Sequence, residues 1–380
     1  MFRMLSAALA AVTIVATAAT ARADDASDCK NYSALLQTDA TRAVAACRRL
    51  AEKGDAWGQF NLGRLYDSGD GIAQSYTDAL KWYRKAADHN FAHAQYFVAT
   101  MYYYGDGVPQ NYEEALKWLN KAADLGFSEA QRTIGMMHRD GKGRPQSFPE
   151  AIKWFRVAAD QGNAMAQTNL GALYNDGSGV PQNYAEAKKW YLRAAAQGEV
   201  HAEKNLGAMY DYGRGMPIDD VEAAKWYRKA AEQGYSSAQT NLGVMYNDGE
   251  GMARDYVEAA KWHQRAAAQG SPIGQFNLGS MYYFGHGVSK DDVQAYKWSE
   301  LAAKAFPPGK DRDNAVHNRD IIAKKMTSAQ LAEAQQLVRD WKATPELQYE
   351  TINVHYCNER DAQSSCDAPV PITVPVPIDD

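Results

Sequence analysis

One amphipathic pattern recurs seven times along the chain. In the copy spanning 236–271, Ala238, Leu242, Met245 and Tyr246 are apolar at helical spacing. A second set, Ala259, Trp262, Ala266 and Ala267, follows at i, i+3, i+7 and i+8. Gly249 and Gly251 lie between them. The pattern predicts two helices joined by a glycine turn, the second over Tyr256–Ala268 and ended by Gly270. Copies begin at Ala56, Ala92, Ser128, Ala164, Val200, Ser236 and Pro272, with no insertion or deletion. Trp82, Trp118, Trp154, Trp190, Trp226, Trp262 and Trp298 stand at one fixed place in them. A constant period of this length means stacked units that bury their apolar faces on one another. The expected fold is all-α: a right-handed α-solenoid of antiparallel helix pairs with N- and C-terminal caps. The seven tryptophans are expected in its core, since a buried Trp removes about 150–250 Å² from water.

Two glycine patterns refine this. Gly63, Gly135, Gly171, Gly207, Gly243 and Gly279 fall inside the first helix, with Ala99 at the same place in the second repeat. A helix-interior glycine costs about 1 kcal/mol relative to alanine, so its recurrence predicts close approach of the paired helix. The Gly-x-Gly of each repeat, for example Gly249/Gly251, ends the first helix and permits positive φ. It is not a phosphate-cradling loop, because no Gly-Lys-Ser/Thr in a strand–turn–helix context accompanies it.

The ends differ from the repeats. Arg3, the apolar stretch Leu5–Thr20 and Ala21-Arg22-Ala23 read as a signal peptide over 1–23, cleaved after Ala23. No later stretch could span a membrane, and no Cys marks a lipoprotein site. An N-terminal cap is expected over 24–55, with a helix from Thr41 to Lys53, before the repeats at 56–307. Pro307-Pro308-Gly309 stops the last repeat. Two capping helices are expected within 308–343, over Asp311–Lys325 and Ser328–Lys342, with Thr327 and Gln330 forming a capping box. The Pro-rich tail, 344–380, is expected to be extended, polyproline II or unstructured. Four cysteines in an exported chain read as two disulfides, and the local pairing Cys29–Cys47 and Cys357–Cys366 leaves the repeats free of sulfur. No C-x-x-C favours a metal site instead.

Net charge is −5 with mixed signs and no basic run, which excludes a nucleic-acid footprint. The run L-G-x-x-Y, G-x-G-V/M, A-x-K-W-Y and A-A-x-Q-G resembles the Sel1-like repeat, a relative of the tetratricopeptide repeat. The resemblance covers residues 56 to about 306 in seven copies. It implies a helical array that holds partners rather than an enzyme. Some disulfide-rich secreted relatives are linked to penicillin-type compounds, but they carry a cysteine pair in every repeat and this chain has none there.

No catalytic or metal-ligating constellation stands out: H-E-x-x-H and G-x-S-x-G are absent, and the histidines are scattered. No cofactor is expected. Mapped by register onto related repeats, the concave face carries an asparagine ladder: Asn61, Asn169, Asn205, Asn241 and Asn277. Amides of this kind suit the backbone of an extended peptide, or hold the stack together. The first three repeats add Trp57, Phe60, Arg64, His93, Tyr96, Tyr103, Arg132 and Arg139, residue types favoured at hot spots. The seventh adds Phe276, Tyr283 and Phe284. The expected function is a non-catalytic protein–protein interaction scaffold or regulator in the bacterial cell envelope, periplasmic or secreted. Its partner would be an envelope protein or an extended peptide. The alternatives are binding of glycan or peptidoglycan fragments and, by family analogy, a lactam or amide hydrolase.

Overall fold

A computed structural model describes residues 25–344, 349–354 and 370–375. Two compact units divide the chain, Met1–Trp190 and Tyr191–Asp380.

The first unit opens with a short helix, α1 (25–30), and α2 (Tyr32–Glu52). The pairs α3 (Ala56–Ser68) and α4 (Tyr76–Ala87), α5 (Ala92–Tyr104) and α6 (Tyr112–Asp124), and α7 (Ser128–Asp140) and α8 (Phe148–Asp160) follow, then α9 (Ala164–Asp176). Helix α10 (Tyr184–Ala195) contains the boundary between the units. Each expected repeat start is the first residue of a helix.

Helix α2 starts earlier than Thr41 and is kinked at Asp39, whose carboxylate accepts from the Arg42 N–H. The expected helix is therefore the segment beyond a cap inside a longer one. Cys29 and Cys47 form a disulfide with Cα atoms 4.7 Å apart, and both are buried. Cys357 and Cys366, like the signal peptide expected over 1–23, lie outside the described residues.

The second unit carries α11 (Val200–Asp211) with α12 (Asp220–Glu232), α13 (Ser236–Asp248) with α14 (Tyr256–Ala268), and α15 (Pro272–Phe284) with α16 (Asp292–Ala305). Helices α17 (Lys310–Ala323) and α18 (Ser328–Asp340) come next, and the Thr327–Gln330 capping box is present. Val338 and Trp341 pack on Trp298, and Leu331 and Ala334 on Tyr296 and Ile322. In the tail, β1 (Tyr349–Val354) pairs antiparallel with β2 (Val370–Pro375), from Tyr349↔Pro375 to Val354↔Val370. This corrects the polyproline or unstructured expectation for the last stretch. Pro371 and Pro375 of β2 stand opposite Asn353 and Tyr349 and donate no N–H to the pairing.

Local chemistry explains why the helices stop and start where they do. Second helices begin after Ser, Asn or Asp residues whose side chains accept from the first-turn backbone, as Ser75, Asn111, Asp219 and Asp255 do. First helices end on a left-handed glycine such as Gly105 (φ 85) or Gly141 (φ 70), except α11, which ends on Tyr212. The second turn glycine has a further role. A Cβ at Gly107 would stand 2.6 Å from the Tyr76 backbone, so the turn of one repeat rests on the second helix of the repeat before it.

The helix-interior glycines are explained by the residue after the tryptophan. A Cβ at Gly63 would lie 2.6 Å from the Tyr83 ring, at Gly135 2.7 Å from Phe155, and at Gly207 2.6 Å from Tyr227. Tyr83, Phe155 and Tyr227 have no exposed surface. The core assignment of the tryptophans is corrected accordingly. Trp190, Trp262 and Trp298 are buried, whereas Trp82, Trp118, Trp154 and Trp226 are only half-buried. The next residue occupies the gap within the pair, and the indole packs toward the preceding unit: Trp82 joins Ala43 and Ala46 of α2 and Leu62 of α3. Its outer face is covered by a cation three residues on. Lys85 lies 4.0 Å from the Trp82 ring, Lys121 3.9 Å from Trp118 and Lys229 4.1 Å from Trp226.

Candidate functional site

The expected contact residues separate into buried and accessible groups. Phe60, Tyr96, Tyr103 and Arg132 are buried, which corrects their placement on a partner-facing surface. Phe60 lies 5.3 Å from Phe97, and Tyr96 lies 5.3 Å from Phe127. Tyr103 packs 5.1 Å from Tyr112, and Arg132 Nη1 is 3.0 Å from Met136 Sδ. Phe60 thereby meets the next first helix, α5, Tyr96 meets the residue that caps α7, and Tyr103 packs on the second helix of its own repeat, α6.

Trp57, Arg64, His93 and Arg139 are half-buried. Arg139 pairs with Asp140 at 2.6 Å, and the Arg64 guanidinium lies 5.5 Å from the Tyr32 ring. His93 is set among aromatic rings: Phe127 at 4.7 Å, Phe91 at 5.3 Å and Trp57 at 6.1 Å. Burial among them lowers its pKa to about 4, so the imidazole is neutral at pH 7. Phe91 and Phe127 are the N-cap residues of α5 and α7, and neither helix has a side-chain cap hydrogen bond. Omitting a cap costs about 1 kcal/mol. Here it places two half-buried rings beside Trp57 and His93, forming a strip along the first two repeats.

The asparagines do not act as one ladder. Asn61 is buried and donates to the Cys29 carbonyl at 3.1 Å, tying the first repeat to the cap. Asn169, Asn205, Asn241 and Asn277 are half-buried, and Asn205 Oδ1 accepts from Lys204 at 3.1 Å. In the seventh repeat Phe276 and Tyr283 are half-buried and Phe284 is 63 % exposed.

Two polar ladders were missed by the sequence reading. Gln59, Gln95, Gln131, Gln167, Gln239 and Gln275 are buried, and each donates to a carbonyl at the end of the preceding second helix: Ala51, Ala87, Ala123, Ala159, Ala231 and Ala267. They satisfy carbonyls that a helix end leaves open. Their period of 36 was the available signal. Arg48, Arg84, Arg156 and Arg228 donate to the hydroxyls of Tyr66, Tyr102, Tyr174 and Tyr246, each eighteen residues on. Among the described residues no group of His, Cys, Asp and Glu is placed to hold a metal ion, and no helix is long and apolar enough to cross a membrane.

A family model described as Sel1 repeat matches residues 58–91, 92–127, 128–163, 164–199, 200–235, 236–271 and 272–305. Among solved structures, a protective antigen of uropathogenic Escherichia coli with an SLR fold is 35 % identical, with a TM-score of 0.68. The alignment covers 79 % of this chain and 63 % of that one. A Sel1 repeat protein from Oxalobacter formigenes is 33 % identical with a TM-score of 0.61, over 75 % of this chain and 84 % of that one. No curated protein matches the sequence.

Proposed function

The chain belongs to the Sel1 repeat family, and from that premise we propose that it is a non-catalytic scaffold or regulator of the bacterial cell envelope. It holds a partner protein or an extended peptide on the faces of its first helices. The observation that carries this reading is the strip of Trp57, Phe91, His93 and Phe127. These rings remain half-buried where capping chemistry would place small polar residues at two of the four positions. Aromatic anchors held by their neighbours lose little conformational freedom on binding. Arg64 of α3 and Arg139 of α7 add half-buried polar groups in the same unit. An oxidising compartment is supported by the buried Cys29–Cys47 bridge, together with the export pattern of residues 1–23.

The test is affinity capture from an envelope extract with wild type and a Trp57→Ser/His93→Ser variant whose circular dichroism is unchanged. A partner recovered by wild type and lost in the variant supports the reading. Equal recovery moves the contact off this strip. Binding of cell-wall fragments with no protein partner would replace the reading with glycan binding, and hydrolysis of a chromogenic lactam or amide would replace it with an enzyme.

A further inference from the structure

A cavity of about 140 Å³ lies between the seventh repeat and α17. Ile321 and Ile322 of α17 and Tyr283 and Phe284 of α15 give it apolar walls, while Ser280 and Asn318 contribute polar atoms. An apolar cavity of roughly 150 Å³ accommodates benzene, so this one has room for a single phenyl ring.

Two features at its mouth limit what would enter. The first is Phe284, which is 63 % exposed yet held in place. Its ring stacks on His286 at 5.6 Å and 24°, His286 stacks on Tyr256 at 4.7 Å and 20°, and Tyr283 meets Phe284 edge-on at 5.0 Å. The second is a pair of cations. Lys290, from the turn after α15, and Lys325, beyond α17, converge on the Tyr283 ring at 5.7 Å and 4.6 Å, and Lys325 also donates to the Tyr283 hydroxyl. Among the described residues, both ammonium groups meet the Tyr283 ring rather than a carboxylate. Of the nearby acids, Asp291 accepts from the backbone of Val293 and Gln294 and Asp320 pairs with Arg319, while the buried Asp292 Oδ1 has no hydrogen-bond partner among the described residues.

We propose that this is a docking site for an acidic polypeptide segment that inserts one aromatic side chain into the cavity while its carboxylates meet Lys290 and Lys325. The proposal deepens the scaffold reading and rests on it only in taking a peptide as the ligand. The site is separate from the first-unit strip.

The test is fluorescence anisotropy with the full chain and a labelled, amidated nonapeptide carrying one phenylalanine between aspartates. Two counterparts replace the phenylalanine by serine or the aspartates by lysines. Phe284→Ser and Lys290→Glu/Lys325→Glu change exposed or surface-directed groups, and both are checked by thermal melting. The expected result is binding of the acidic phenylalanine peptide, weakened about tenfold or more by either counterpart and by Phe284→Ser. The double charge reversal is expected to switch preference to the lysine peptide. Failure of the acidic phenylalanine peptide to bind, equal binding of all three peptides, or affinity unmoved by both variants overturns the site. If that happens while the first-unit strip still captures its partner, the scaffold reading stands and this site alone falls.

Discussion

Glu203 stands where the other six repeats carry glutamine. It is buried, and its pKa is raised, first by desolvation and against the hydrogen bond it accepts from Gln233 at 2.6 Å. A carboxyl group with a raised folded-state pKa favours folding most below its unfolded value, about 4.3. That contribution is lost as pH rises through the folded value. Glu203→Gln keeps an acceptor for Gln233 and regains the donor that the other repeats aim at a helix-end carbonyl. The variant is expected to be about 1 kcal/mol more stable at pH 7.5, with the gain shrinking as pH falls toward 4. Urea unfolding at the two pH values measures it, and a gain independent of pH would contradict the burial argument. A repeat reading finds such positions only if polar residues are allowed to have a period of their own. The buried glutamines have one, in step with the aromatic and glycine positions.

At the scale of the helix pair, the deciding contact is glycine against ring. Gly135 leaves room for Phe155, and an added methyl would stand 2.7 Å from that ring. Gly135→Ala is therefore expected to destabilise by about 1–3 kcal/mol, the usual cost of overpacking. The second repeat supplies the compensating design, with Ala99 and Leu119 at the two corresponding positions, both buried. Gly135→Ala/Phe155→Leu should then melt closer to wild type than Gly135→Ala does, as a calorimetric double-mutant cycle would show. Additive losses would mean that the two positions do not share one gap. The close approach itself was legible from the recurrent glycine. Which partner residue made it was not, because Trp and its successor lie 100° apart on one helix, and only packing shows which of them faces inward.

For the molecule as a whole, stability in a tandem array is carried by neighbour contacts, so the ends are its weak points. The N-terminal end is held by the Cys29–Cys47 bridge and by the Asn61 bond to the Cys29 carbonyl. Asp25 adds a further hold, its carboxylate kept below the usual range by the Arg49 guanidinium. A disulfide closing a loop of this length contributes about 3 kcal/mol. Cys29→Ser/Cys47→Ser is expected to lose most of that locally. Hydrogen exchange should quicken first in α2 and α3 and leave α13 to α16 unchanged. Uniform acceleration along the chain would show one cooperative unit instead of an array with a separable end.

The sequence by itself determined the number, length and phase of the repeats, the helix starts within them, the glycine turns and the Thr327–Gln330 box, while it favoured the Cys29–Cys47 pairing among three. These follow from chain-local physics: helical periodicity, capping and φ preference act within a few residues, and an uninterrupted period multiplies the signal sevenfold. Tertiary structure alone decided which long side chains stay accessible. Phe60, Tyr96, Tyr103 and Arg132 were read as accessible by register yet are buried. Four of the seven repeat tryptophans reach the surface, and two tail segments distant in sequence pair as strands. Burial and pairing of this kind depend on what a neighbouring helix or strand places opposite each residue, and a residue's position in its own repeat does not contain that information.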